Sequence, residues 1–193
     1  MKNHPKSGST IKVEPIRSKS DISKIKELLE DQPRNLALFT LGINTNLRAS
    51  DLIKLKTGQI LTLDTSGSFE IREQKTGKLR RLTLNNGTLQ IVKSWIRIGN
   101  LAPDDPLFIS QRENALTVSS VNRLVKSWCR KIGLTGNYGS HSLRKTFGYH
   151  AWKAGIDLPR LMTVFNHSSQ KQTLDYLCIQ AEEIQEVYLK VEL

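Results

Sequence analysis

The sequence predicts an α+β domain that is mainly α, with one small antiparallel sheet. Three observations predict it. Apolar residues recur at helical spacing over most of the chain. Between Gln59 and Leu84 the pattern changes to short strand-like runs separated by the turn sequences DTSGS and KTGK. No repeat or low-complexity tract interrupts the plan, and 193 residues suffice for one domain with a short arm.

Taken in order, residues 1–19 are polar, basic and carry two prolines, so they read as an N-terminal arm outside the core. Residues 20–193 read as the domain, including a helical C-terminal tail. Ser20 or Asp21 is placed to cap a first helix with Ile22, Ile25, Leu28 and Leu29 on its apolar face. Pro33 starts a second, apolar nearly all round through Leu36, Leu38, Phe39, Leu41 and Ile43, and therefore central. A turn at Asn44–Asn46 leads into LRASDL, which opens another short helix. Ile60–Leu63, Phe69–Glu73 and Leu79–Leu84 follow as the strand-like runs, giving a sheet of two or three strands. Helical spacing returns with Leu89, Val92, Trp95 and Ile96, and again from Val118 to Trp128 until Gly133 stops it. From His141 onward the chain is helical, broken at Gly155–Asp157 and Asn166–Ser169.

Charge narrows the function. Twenty-nine Lys+Arg against eighteen Asp+Glu give +11, which calls for a polyanionic partner, with nucleic acid the first candidate. No apolar run approaches the roughly 18 residues of a membrane span, and no signal peptide opens the chain. Cys129 and Cys178 form no C-x-x-C pair, as expected for reduced thiols in a cytoplasmic protein. The basic charge concentrates in REQKTGKLRR at 72–81, five basic residues to one acid, as suits a hairpin tip in a nucleic-acid groove. Residues 175–193 hold five acids and one lysine, which suits a protein contact better.

Chemistry-bearing residues are few. In HSLR, His141 and Arg144 lie one turn apart at a helix start, with Ser140 or Ser142 as the cap; such a pair can hold an anion or can be a solvated cap. In FNHSSQKQTLDY, Ser169 and Gln172 fit a capping box, so His167 falls in a loop and Tyr176 about two turns into a helix. Alone, Tyr176 reads as a packing residue, Arg48 in NLRASDL as a surface arginine and Lys75 as a solvated hairpin lysine. No G-x-x-x-x-G-K-[ST] loop is present for a nucleotide, no histidines stand at metal-ligand spacing, and no aspartate cluster suggests a two-metal nuclease. No cofactor or metal is therefore expected.

Taken together, NLRASDL, EQKTGK, HSLR, FNH and DY resemble, in order and in spacing, the catalytic domain of the tyrosine recombinases, the phage integrase family. The resemblance covers about residues 20–190. It implies the DNA breaking–rejoining fold and a site-specific recombinase that cuts and rejoins strands through a 3′-phosphotyrosyl intermediate. It further implies that Arg48 and Arg144 clamp the scissile phosphate, with His141 and His167 beside them. Lys75 would protonate the 5′-oxygen leaving group, Tyr176 would attack phosphorus, and Asp51 would steady the basic groups. Arg72, Lys78, Arg80 and Arg81 would contact DNA. The expected partners are double-stranded DNA and, on DNA, a second copy of the chain reached through the tail from Ala181, the alternative being that this tail closes the domain's own core. An accessory protein without catalysis, and strand relaxation of the type IB topoisomerase kind, are the alternatives. The sequence departs from the family motifs at Asn46 and Asn166, where the family has glycine, and at Asp51 in place of glutamate. Only about 20 residues precede the matched region, so the expectation is either a short member lacking the N-terminal core-binding domain or the catalytic domain of a longer protein.

Overall fold

A computed structural model describes residues 12–63, 66–74, 77–110 and 114–179. Helices dominate them: α1 (Lys19–Leu28), α2 (Pro33–Asn44), α3 (Ala49–Leu52), α4 (Thr57–Leu61), α5 (Asn86–Ile98), α6 (Val118–Lys131), α7 (Ser140–Lys153), α8 (Leu158–Phe165) and α9 (Gln170–Leu177). The sheet is one antiparallel pair, β1 (Ser68–Arg72) and β2 (Leu79–Thr83), with Ser68 opposite Thr83 and Arg72 opposite Leu79. Phe69, Ile71 and Leu82 bury one face of the pair, as the period of two requires.

The all-round apolar helix is central, as its sequence demands. Ala37, Leu38, Phe39 and Leu41 of α2 are wholly buried, and α2 packs on both α5 and α7. Trp128 of α6 meets Phe39 edge-on at 5.9 Å between ring centres, closing the main core. A second, smaller cluster of Leu161, Phe165 and Leu177 joins α8 and α9 to the outer half of α7. That cluster carries the FNHSSQKQTLDY segment.

Four expectations need correction. The run Ile60–Leu63 does not form a strand: Ile60 and Leu61 end α4, where Gln59 Oε1 reaches back to accept from Lys56 N–H at 2.9 Å. A short apolar run has no period long enough to separate strand from helix, and the Gln59 cap decides it. The cap of α1 is Ser18, whose hydroxyl accepts from Asp21 N–H, and neither Ser20 nor Asp21 serves. The cap of α7 is Gly139 in extended conformation, with Ser140 and Ser142 already inside the helix. Lastly, the arm is not free of the core over its whole length. Ile16 is buried, its N–H donates to Thr146 Oγ1 at 2.8 Å, and its carbonyl lies 3.0 Å from His150 Nε2. Lys75 and the tail from residue 180 lie outside the described residues.

Candidate active site

The site grows from the junctions between elements. Arg48 is the N-cap of α3, held in β conformation while Leu47 and Leu52 on either side are buried, so its side chain turns out of the core. Arg144 comes from the second turn of α7, whose start is fixed from two directions. Asn122 Oδ1 accepts from Ser140 N–H at 3.0 Å, and Ser142 Oγ accepts from Gly139 N–H at 3.0 Å. A Cβ at position 139 would run into Asn122, which explains the glycine there. His141, in the first turn of α7, stands exposed at the mouth of the site.

His167 follows the end of α8, which closes through Asn166 in the left-handed region (φ 55, ψ 48). Asparagine tolerates that conformation better than other side-chain-bearing residues, so the departure from glycine is accommodated. Ser169 then caps α9 by accepting from Gln172 N–H at 3.1 Å, and Tyr176 projects from the second turn. Its ring sits 5.2 Å from Phe165 and 5.1 Å, edge-on, from His167. Thr173 Oγ1 lies 3.3 Å from Ser169 O and 3.1 Å from His167 Nδ1, which fixes the orientation of the imidazole ring.

These side chains meet. Arg48, Arg144, His141, His167 and Tyr176 all line one cleft of about 300 Å³. Arg144 is buried and its fork is spoken for: Nη1 donates to Asn46 O at 2.8 Å and Nη2 to Phe165 O at 3.1 Å, with the guanidinium 5.0 Å above the Phe165 ring. Asn46 O also accepts from Arg80 Nη1 at 3.2 Å, and the Asn46 amide donates to Val164 O. The Asn46 backbone thus ties the α2–α3 junction to β2 and α7, and the side chain it has where the family has glycine adds a tie to α8.

The electrostatics favour neutral histidines among fixed cations. Burial pushes Arg144 down to about 10, so it stays charged at neutral pH. Desolvation, with Arg144, Lys145 and Arg48 nearby, lowers His141; desolvation, with Arg144 and Arg48, lowers His167. Burial raises the Tyr176 phenol, and Arg144 and Arg48 pull it back.

Of the other residues expected to contribute, Asp51 is buried, accepts from Gln74 N–H at 2.9 Å through Oδ1, and lies 3.9 Å from Arg48 through Oδ2. It therefore anchors the hairpin one residue before Lys75. Arg72, Lys78 and Arg81 are exposed on the hairpin, whereas Arg80 turns inward to Glu73 at 3.3 Å. Sequence reasoning missed three features. Glu73 is a buried carboxylate 3.1 Å from Arg48. Lys145 is buried, 4.9 Å over the Tyr176 ring and 3.2 Å from Cys178 Sγ. Arg123, Lys126 and Arg130 form an exposed stripe on α6 beside a cleft of about 470 Å³. The stripe was readable from its spacing of three and four; the other two depend on tertiary contact. Among the described residues no group of three or more His, Cys, Asp or Glu could hold a metal ion, and no helix is long and apolar enough to cross a membrane.

This arrangement of helices, hairpin and cleft defines a tyrosine-type recombinase, and the comparisons with known proteins agree. The family model described as the phage integrase family matches residues 18–183. The chain belongs to that family. It is 30% identical over 178 residues to the probable integrase/recombinase YoeC of Bacillus subtilis, covering 91% of this chain and 95% of that protein. With the tyrosine recombinase XerA of Pyrococcus furiosus it shares 28% identity over 181 residues, 91% of this chain but 61% of the relative. The crystal structure of XerA recombinase superposes with a TM-score of 0.78 at 20% identity, over 98% of this chain and 68% of that one. That of XerH bound to palindromic difH substrate, a post-cleavage complex, gives 0.72 at 21%, over 97% and 55%.

Proposed function

We propose that this chain cleaves and rejoins double-stranded DNA at specific sites, with Tyr176 as the nucleophile. The observation that carries the reading is the convergence of Arg48 at the start of α3, His141 and Arg144 of α7, His167 between α8 and α9, and Tyr176 of α9 on one cleft. The phenol oxygen attacks the scissile phosphorus, the bond to the 5′-oxygen breaks, and a 3′-phosphotyrosyl link results. A phenol of ordinary pKa near 10 is ionised about one time in a thousand at pH 7, a deficit of roughly 4 kcal/mol, and burial deepens it. A proton acceptor is therefore needed, and His141 and His167, held neutral, are suited to be one. Arg48 and Arg144 offer fixed positive charge to the phosphoryl oxygens, a contribution of about 3–4 kcal/mol for a single such donor. Lys75 protonates the departing 5′-oxygen. The phosphotyrosyl bond conserves the energy of the phosphodiester, so resealing by the 5′-hydroxyl requires no nucleotide.

Arg72, Lys78 and Arg81 on the hairpin and Arg123, Lys126 and Arg130 on α6 are placed to grip the duplex backbone. The acidic tail from Ala181 contacts a second copy of the chain on DNA, and the protein acts in the cytoplasm, where its free thiols Cys129 and Cys178 stay reduced. The test is a nicked suicide duplex carrying candidate sites from DNA adjoining the gene. Wild type forms an SDS-resistant adduct, and Tyr176→Phe forms none while binding DNA almost unchanged. An adduct that persists in Tyr176→Phe refutes the nucleophile assignment. Absence of adduct from wild type on every such site favours the accessory role.

A further inference from the structure

We propose that Glu73 is the positioning residue of the phosphate clamp, setting the Arg48 guanidinium and tying it to the hairpin that carries Lys75; this rests on the recombinase reading above. Glu73 directly follows β1 and its backbone closes the base of the hairpin turn, its N–H donating to Lys78 O at 3.0 Å and its carbonyl accepting from Gly77 N–H at 2.8 Å. The backbone is thus fixed, and so is the origin of the side chain. Its carboxylate reaches away from solvent, only 6% exposed, with Oε2 at 3.1 Å from Arg48 Nη1 and Oε1 at 3.3 Å from Arg80 Nη1.

A carboxylate is not buried without a partner, so Glu73 holds its two arginines as firmly as they hold it. The contacts form a chain, Arg48–Glu73–Arg80–Asn46 carbonyl–Arg144, that runs from one side of the cleft to the other. Three guanidiniums so close would otherwise repel. Arg48 Nη1 is buried and directs no N–H along a hydrogen bond to the carboxylate. Charge, not a fork of directed bonds, therefore fixes Arg48. Asp51 cannot take over, because Oδ1 is engaged by the hairpin backbone and Oδ2 is 3.9 Å away. Glu73 touches no reacting atom, and it acts through Arg48.

The experiment compares wild type, Glu73→Gln and Glu73→Asp on two suicide duplexes, one with a normal scissile phosphate and one with a neutral methylphosphonate there. Glu73→Gln keeps the shape and removes the charge. Its cleavage of the phosphate duplex is expected to fall about 10- to 100-fold, as for a misplaced catalytic group, with DNA affinity nearly unchanged. On the methylphosphonate duplex less charge must be neutralised, so the loss shrinks to a few-fold. Glu73→Asp keeps the charge and regains part of the rate on phosphate. Equal fold-losses on the two duplexes, or no loss on either, overturn the inference. Should Glu73→Gln not fold, the same contrast is read from Glu73→Asp, whose smaller defect must also shrink on methylphosphonate. Wild type that forms no adduct would instead overturn the recombinase reading itself, so the two failures are distinct.

Discussion

Burial works against Tyr176 and in favour of its histidine neighbours. The phenol is raised and both imidazoles are lowered, so at neutral pH the proposed nucleophile keeps its proton and the proposed acceptors are free to take it. Cleavage measured in a single turnover is therefore expected to hold level as pH falls to 6.5, the ordinary histidine value, and to decline only below it. A decline centred at or above 6.5 would contradict neutral histidines held by surrounding cations. Arg144, one of the two arginines of the proposed phosphate clamp, is also a structural residue. Arg144→Ala strands the buried Phe165 carbonyl and leaves Asn46 O to Arg80 alone, and should cost about 1–3 kcal/mol in urea unfolding on top of abolishing cleavage. Arg144→Lys cannot span both carbonyls and should recover little of either. An Arg144→Ala protein as stable as wild type would show those bonds to be incidental.

At the scale of elements, the position of α9 depends on how closely α7 lets α8 and α9 approach. Gly148 of α7 makes the approach: a Cβ there would come within 2.5 Å of Leu177 Cδ2 and closer still to Phe165 Cζ. Gly148→Ala is expected to lower stability by about 1–3 kcal/mol through overpacking and to slow cleavage, because the displaced pair flanks Tyr176. An unchanged urea midpoint would mean that the small cluster yields freely. The sequence contained this element but not its reason, since a mid-helix glycine has no period. Helices with a strong apolar pattern, such as α2, α5 and α6, were legible from spacing alone, and the Ser169 cap of α9 from its motif. Ile60 and Leu61 were not, because their few apolar residues fit strand and helix equally until Gln59 caps α4. The cleft residues were legible only as five motifs in register. Glu73 and Lys145 were hidden among ordinary charged residues, because what distinguishes them is burial against partners distant in sequence.

For the whole molecule, charge and protonation set the conditions of work. His141 and His167 have folded-state pKa values below the unfolded 6.5, so their contribution to stability is complete above that pH and is lost as pH falls from 6.5 through the folded values. Tyr176, raised above 10, contributes fully below 10 and loses that contribution as pH rises through its folded value. The urea midpoint should therefore be lower at about pH 5 than at neutrality, and the His141→Gln, His167→Gln double variant should narrow the difference. A difference of unchanged size would assign acid sensitivity to other groups. DNA affinity should fall steeply with salt, with a log–log slope that loses roughly 0.9 for each phosphate contact removed. Replacing Arg123, Lys126 and Arg130 by Gln should flatten that slope by up to about 3, and an unaltered slope would remove α6 from the interface.

In the proposed reaction one particular tyrosine, Tyr176, carries the DNA. Cleavage after lysine and arginine releases residues 172–190 as a single peptide, QTLDYLCIQAEEIQEVYLK, which holds Tyr176 and also Tyr188. Nuclease trimming of the covalent complex followed by fragmentation of this peptide locates the nucleotide remnant directly. The remnant is expected on Tyr176; its appearance on Tyr188, or on any peptide without Tyr176, would contradict the account.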